Sequence, residues 1–547
     1  MIEGGASFAY AFGAVLVFML AVQAVTGIAL AAFYSPSTTD AWASVAYIQD
    51  QATWGWLIRG LHHHGGSAIV IIAGLHLIQT AVAGAYKRPR EVVWWLGVLL
   101  MVVILAWAVT GFVLPWDQAG YWANQVEVGI AAETPVIGDA LRRLALGGND
   151  YGNLTVTRFY ALHVLVLPAV VVLLSIGHIA LARRHGITPM RTRPAVPRWP
   201  DQSLRNAIVM ALAFIVLLGY VISSGGVGLA SPADPGQAHD ARPLWYFRWL
   251  FELRELAGSA EKLAALAAPA VVGGFLVALP LLDRGPDRAP RKRIGWLGAL
   301  AGVLALIGAL TVMSFASDAS NPELAKRQEQ ADARATRARK LAVDYGVPVT
   351  GAHDVFTTPP MWRGRYLYAQ RCASCHDAGS TDRKGPVIGP GHGNRAWLTG
   401  FLKQPSADAF WGRTKLAKTD AAMPATEASD DELAGLVELL YAESGAGDVD
   451  PAKREHGITV FEAKCTDCHS RDEGIGGSAP NLANLGSRDF YTSFIGNPKA
   501  AIHMGSEHSE MPRFDAELTI VERDAIAEYL VWLRTATKAE LEALGPL

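Results

Sequence analysis

The chain has 547 residues, of which 51% are hydrophobic and 18% charged, with a formal net charge of −2 and a mean hydropathy of +0.21. A charge so close to zero removes the electrostatic reason to propose a nucleic-acid partner, and the apolar content exceeds what one soluble domain needs. That content is concentrated before residue 316, so a membrane part followed by a polar part is the first expectation.

Apolar runs at 8–33, 67–86, 94–114, 159–182, 205–223, 264–282 and 294–315 each approach the ~20 residues that a bilayer core demands of a helix. Seven spans are expected. The first run has no basic leader and no small-residue cleavage pattern, and is too long for a secretion signal, so it reads as a retained anchor. Three loops are basic: Lys87, Arg88 and Arg90; Arg183, Arg184, Arg191, Arg193 and Arg198; and Arg284, Arg288, Arg291, Lys292 and Arg293. The positive-inside rule turns these loops to the cytoplasm. An odd number of spans then delivers everything after residue 316 to the other side, the periplasm of a bacterium.

Four histidines stand out in this membrane part. His62 and His76 are 14 residues apart, and His163 and His178 are 15 apart. Each interval is nearly four helical turns, placing each pair on about one face with about 21 Å between members. Two facing helices with that pattern can clamp two haems, one above the other. A membrane histidine can also be a packing group, but ionisable side chains at this depth are costly enough that function is the default reading. His63 and His64 read as ordinary interfacial residues. Gly13 and Gly27, then Gly97 and Gly111, repeat the 14-residue interval, as if a helix backbone had to approach each haem face without a side chain between. Helix packing through small residues favours such glycines too.

Residues 317–360 turn polar and read as a solvated charged helix leading into a linker. All four cysteines follow, in Cys372-Ala-Ser-Cys375-His376 and Cys465-Thr-Asp-Cys468-His469, the c-type haem attachment signature. A zinc ribbon would keep its cysteine pairs closer, and neither zinc nor disulfides explain a histidine directly after each second cysteine. Each copy has an aromatic-containing helix before it, a Gly/Pro-rich loop after it, a Met-Pro step and a closing amphipathic helix. This order resembles class I cytochrome c, twice over. The resemblance puts Met423 and Met511 at the sixth ligand position, the methionine of each copy serving its own haem, where a thioether raises the potential; Met504, His503 and His508 are weaker candidates for the second haem.

The segments GWLIRGLHHHGGSA, GAYKRPRE, TGFVLPWDQAGYWA, PVIG and TRFYALHVLVLP resemble the cytochrome b subunit of the bc and b6f complexes, closer to the b6f type. The resemblance implies a mainly α protein: a four-helix haem b domain at 1–200, a three-helix region at 201–316, the charged helix and linker at 317–360, and cytochrome c domains at 361–445 and 446–547. It pairs His62 with His163 at the haem nearer the periplasm and His76 with His178 at the haem nearer the cytoplasm; Arg59 and Arg90 read either as charge partners of the haem propionates or as solvated or headgroup-facing arginines. Its quinol-oxidation loop, Pro-Glu-Trp-Tyr, is here Pro243-Leu244-Trp245-Tyr246. The carboxylate that takes the quinol proton is missing, leaving Asp240, Asp234 or a water chain as replacements. The cysteine that attaches an extra haem in b6f complexes is here Ala11. On the cytoplasmic side Arg183, with Arg184 and His185, reads as a binding group for the quinone to be reduced or for a haem propionate, or as a solvated basic loop.

The function so implied is a subunit of a quinol–cytochrome c reductase that bifurcates electrons between the b haems and a Rieske [2Fe-2S] partner. Such a cluster needs cysteines, and none is left in this chain. The two c haems would relay electrons to a periplasmic cytochrome c or terminal oxidase, in a homodimeric complex embedded in membrane lipid, with small subunits possible. The alternatives are a Rieske-independent quinone/cytochrome c electron-transfer protein, favoured by Leu244, and a non-catalytic electron-transfer subunit of a larger respiratory assembly.

Overall fold

The computed structural model describes residues 2–189, 193–357, 359–472, 478–504 and 509–545, among which there are helices and no strand. Arg191 and His508 lie outside these residues. The chain forms two compact units, Met1–His353 and Asp354–Leu547.

The first unit holds α1 (Phe12–Ala31), α2 (Ala41–Asp50), α3 (Gly55–Val82), α4 (Glu91–Phe112), α5 (Gln118–Ala132), α6 (Gly138–Leu146), α7 (Asn153–Ala161), α8 (Leu167–His185), α9 (Ser203–Ser224), α10 (Arg248–Ala257), α11 (Glu261–Leu282), α12 (Ile294–Ala319) and α13 (Pro322–Tyr345). Seven of its helical stretches are long and apolar enough to cross a bilayer, making this a multi-pass membrane protein. Helices α1 and α3 pack together, α4 packs on α8, and α9 closes against α1 and α3. Val15, Met19, Ile69, Leu217 and Val221 fill that junction, while Ile28, Leu173, Val216 and Val271 stay exposed, as lipid-facing positions do.

Helix α3 begins at Gly55, well before the hydropathy onset at 67. Arg59, His62, His63 and His64 lower the average there without breaking the helix. Between α7 and α8 the chain makes a π turn, Leu162–Val166, which contains His163. A π turn inserts one residue into a helix, so the 15-residue interval in this span returns His178 to the face that a 14-residue interval reaches in α3.

The basic loops meet at one end of the bundle. Lys87 pairs with Asp283 at 2.6 Å, Arg288 donates to the Arg88 carbonyl at 2.7 Å, and Arg90 donates to the His185 carbonyl at 2.6 Å. At the other end, Asp117 caps α5 by accepting from Gly120 N–H, and it pins the 225–235 loop by accepting from Ala230 N–H. Helix α13 packs against α2 with Leu324, Ala335, Ala338, Leu341 and Ala342 buried, and Arg339 pairs with Asp50. The solvated helix expected for this segment is therefore amphipathic and docked; its buried stripe is mostly alanine, which hydropathy averages discount among so many charges.

The second unit holds α14 (Pro360–Arg371), α15 (Ala373–His376), α16 (Arg395–Lys403), α17 (Asp430–Glu443), α18 (Pro451–Lys464), α19 (Arg488–Gly496), α20 (Ile520–Thr535) and α21 (Lys538–Ala543). Packing does not divide at 445/446, where the sequence places a boundary: α14 pairs with α20, and α17 pairs with α18. Glycines make both crossings possible. A Cβ on Gly364 would collide with the Ala525 carbonyl, and one on Gly457 with the Gly435 carbonyl. Gly364→Val is expected to destabilise this unit by about 1–3 kcal/mol or more by overpacking, read as a lowered thermal midpoint; an unchanged midpoint would count against the crossing.

Candidate functional site

The membrane histidines form two pairs. The ring centres of His62 and His163 lie 6.1 Å apart, and those of His76 and His178 lie 6.4 Å apart. An iron bonded to one nitrogen of each ring at about 2 Å, with about 1.1 Å from nitrogen to ring centre, requires about 6 Å. Both pairs fit. His62 Nδ1 sits 3.0 Å from Thr26 Oγ1, His163 Nδ1 sits 3.1 Å from the Trp107 carbonyl, and His178 Nδ1 sits 3.0 Å from the Val93 carbonyl. An engaged Nδ1 fixes the ring and leaves Nε2 for a metal.

Each of the four glycines backs one histidine. A Cβ at Gly27 would stand 3.0 Å from His62, at Gly111 2.5 Å from His163, at Gly97 3.2 Å from His178 and at Gly13 3.8 Å from His76. These glycines therefore make room for the rings themselves. Arg59 is buried and donates to Gln49 Oε1 and to the carbonyls of Val227 and Gly228. That set makes it a clamp joining α3 to α2 and to the loop after α9. Arg90 keeps a buried Nε with no partner among the described residues. Arg183 and Arg184 are exposed at the end of α8.

In the polar unit, His376 Nδ1 lies 2.9 Å from the Pro386 carbonyl and His469 Nδ1 lies 2.7 Å from the Pro480 carbonyl, again leaving Nε2 available. Cys372 and Cys465 belong to two separate apolar clusters, so the thiols do not converge on one tetrahedral zinc site. Burial pushes the Cys372 thiol up to about 12. Met511 packs in the cluster of Cys372, and Met423 in that of Cys465. Each methionine thus packs beside the attachment cysteine of the other copy. His503 is buried, with Nε2 2.9 Å from Ser493 Oγ and its ring against Phe490 and Phe494.

The Pro243–Tyr246 segment leads into a short helical turn, Trp245–Phe247, beside α10. Trp245 Nε1 donates to Ser67 Oγ at 3.3 Å, placing the segment against α3. Leu244 and Tyr246 are half-buried. Asp240 accepts two hydrogen bonds from Arg327, so it is held as an ion-pair partner. Asp234 Oδ1 caps its own turn at Gly236 N–H.

Residues 2–186 match the cytochrome b/b6/petB family model. Over 179 residues, 33% of this chain, it is 40% identical to the cytochrome b6 of Rippkaea orientalis and covers 81% of that protein. It is also 40% identical to the cytochrome b6 of Cyanidium caldarium, covering 83% of it. The chain belongs to the cytochrome b family. Residues 359–440 and 452–530 of this cytochrome b match the family model of cytochrome c oxidase, cbb3-type, subunit III. The fold is similar to a chain of a hyperthermophilic respiratory Complex III, with a TM-score of 0.51 and 25% identity over 65% of this chain and 94% of that one. The protein is thus a cytochrome b with appended cytochrome c-type domains, a Complex III-like electron-transfer subunit whose domains imply haem b and haem c.

One residue of this cytochrome b was missed in the sequence. Glu127 is half-buried on α5, three residues after the buried Asn124, whose Nδ2 donates to it at 3.3 Å. Its carboxylate is within electrostatic reach of the Tyr246 and Tyr151 hydroxyls. Buried Asn124 Oδ1 and Tyr151 Oη have no hydrogen-bond partner among the described residues. Burial pushes the Glu127 carboxyl up to about 7, opposed by the Asn124 hydrogen bond. The signal was its register: Gly120, Tyr121, Asn124 and Val128 form the buried face of α5, and Glu127 falls on it.

Proposed function

We propose that this chain is the cytochrome b/c subunit of a bacterial inner-membrane quinol:cytochrome c oxidoreductase, a translocase that carries two b haems and two c haems. The observation that carries the reading is the stacking of two histidine pairs in one bundle, at 6.1 and 6.4 Å, one towards the Pro243–Tyr246 end and the other towards the basic loops. When bound, the haems supply one-electron relay between two quinone sites and out to the periplasm.

Quinol binds where Leu244, Trp245 and Tyr246 meet α3 and α5, on the side opposite the basic loops and hence periplasmic by the positive-inside rule. Glu127 accepts its proton in place of the carboxylate that Leu244 lacks. A base must reach the hydroxyl directly or through one water, and a carboxyl at about 7 is poised for it. One electron leaves through a Rieske partner towards the c domains and a periplasmic acceptor. The other crosses to quinone near Arg183, where protons are taken from the cytoplasm. Leu244 favours the non-bifurcating alternative; Glu127 restores a carboxylate and places bifurcation first.

The purified complex is expected to yield two protohaems and two covalent haems per chain in a pyridine haemochrome assay, and to carry a Rieske protein. Quinol oxidation without a Rieske protein and without transient haem b reduction would sink the bifurcated reading.

A further inference from the structure

The cytochrome c part is a reciprocal exchange between its two sequence repeats. Helix α14, which leads into Cys372, crosses α20 of the other repeat, with Gly364 against Ala525. The rings of Tyr368 and Tyr529 lie 5.5 Å apart across that crossing, and Arg363 pairs with Glu522 at 3.3 Å. Helix α18, which leads into Cys465, crosses α17 of the first repeat, with Gly457 against Gly435 and Lys464 paired to Glu432 at 3.1 Å.

The loops follow the helices. After the first motif, Gly391 N–H donates to the Leu533 carbonyl of α20 at 2.7 Å. After the second, Arg471 pairs with Glu443 of α17, and Asn484 N–H donates to the same carboxylate at 3.0 Å. The apolar fillings segregate likewise. Tyr368 and Cys372 share a cluster with Phe514, Ile526, Leu530 and Met511; Phe461 and Cys465 share one with Leu402, Leu436, Leu440 and Met423. In both, the attachment motif comes from one repeat, and the methionine and closing helix from the other.

We propose that axial ligation is crossed, with Met511 completing the iron site of His376 and Met423 that of His469. The proposal rests on the haem c reading of the two motifs. Neither pocket is then complete until both repeats are present, so the two haems share one folding unit rather than two beads on a string.

The test uses the full-length membrane protein and the far-red sulfur-to-ferric-iron charge-transfer band. In a Cys372→Ser/Cys375→Ser background only the haem at Cys465 and Cys468 remains. Met423→His is expected to abolish the band there, and Met511→His to leave it; the reverse pattern overturns the proposal. A second measurement leaves both motifs intact. A protease site inserted between Gly445 and Asp450 is cut under native conditions, and the carboxy-terminal fragment is expected to stay with the membrane part, its band unaltered. Release of a fragment that keeps its own band overturns the crossing. Fewer than two covalent haems in the unsubstituted protein would instead overturn the haem c reading itself.

Discussion

Replacing His163 with leucine is expected to halve the protohaem content, from two per chain to one, while both covalent haems remain, and to abolish quinol-driven electron transfer into the b haems. The pairing explains why one substitution suffices. His62 faces His163 alone, with ring centres 6.1 Å apart, and a leucine leaves the iron with a single imidazole in an apolar bundle. His178→Leu is expected to remove the other haem, since its ring faces His76 at 6.4 Å. Gly111→Leu reaches the first result by another route: a Cβ there already stands 2.5 Å from His163 Cε1, so a larger side chain drives the ring off its axis. The haemochrome ratio of protohaem to covalent haem measures all three variants. A full protohaem complement in His163→Leu would refute the pairing.

The histidine pairs were legible because spacing on a helix converts directly into position on a face. The glycine intervals carried the same geometry, although each glycine proves to back an imidazole. The π turn at Leu162–Val166 was not readable: one extra residue in an apolar run leaves hydropathy unchanged and shows only as an odd interval. The start of α3 was misplaced because Arg59 and His62 to His64 depress hydropathy over its first turns. The cytochrome c repeats were legible as motifs but not as packing. Two copies of one helix–loop–helix order present nearly equivalent grooves, and composition does not state which closing helix lies on which opening helix. The glycines at 364, 435 and 457 mark the close crossings but do not name the partner helix. The partner of Asp240, Arg327, lies 87 residues away, a separation over which sequence proximity carries no signal.

Glu127→Gln tests the replaced carboxylate most directly. Loss of a positioned general base costs roughly 10²–10⁴-fold in rate, and a fall of about 100-fold in haem b reduction by quinol is expected, with both b haems still bound. The pH dependence separates proton transfer from damage to the fold. Glu127 must be deprotonated to accept a proton, and burial holds its carboxyl at about 7. The rate should therefore rise with pH through that value and fall as pH drops below it. The groups around it sharpen the assignment: Asn124 donates to the carboxylate, Tyr151 and Tyr246 are neutral neighbours, Arg142 on α6 acts on Tyr151, and Lys262 on α11 is paired with Glu133. None of these replaces the carboxyl as a group titrating near 7, so Glu127→Gln should flatten the profile between about pH 6 and 8. Asp240→Asn should leave it unaltered, because that carboxylate already holds Arg327. Adding Leu244→Glu to Glu127→Gln should return a pH-dependent rate, since a carboxyl then sits in the same pocket from the neighbouring loop. If Glu127→Gln kept the parental rate and the parental pH profile, quinol protons would have to leave by another path, and the case for a displaced base on α5 would fail.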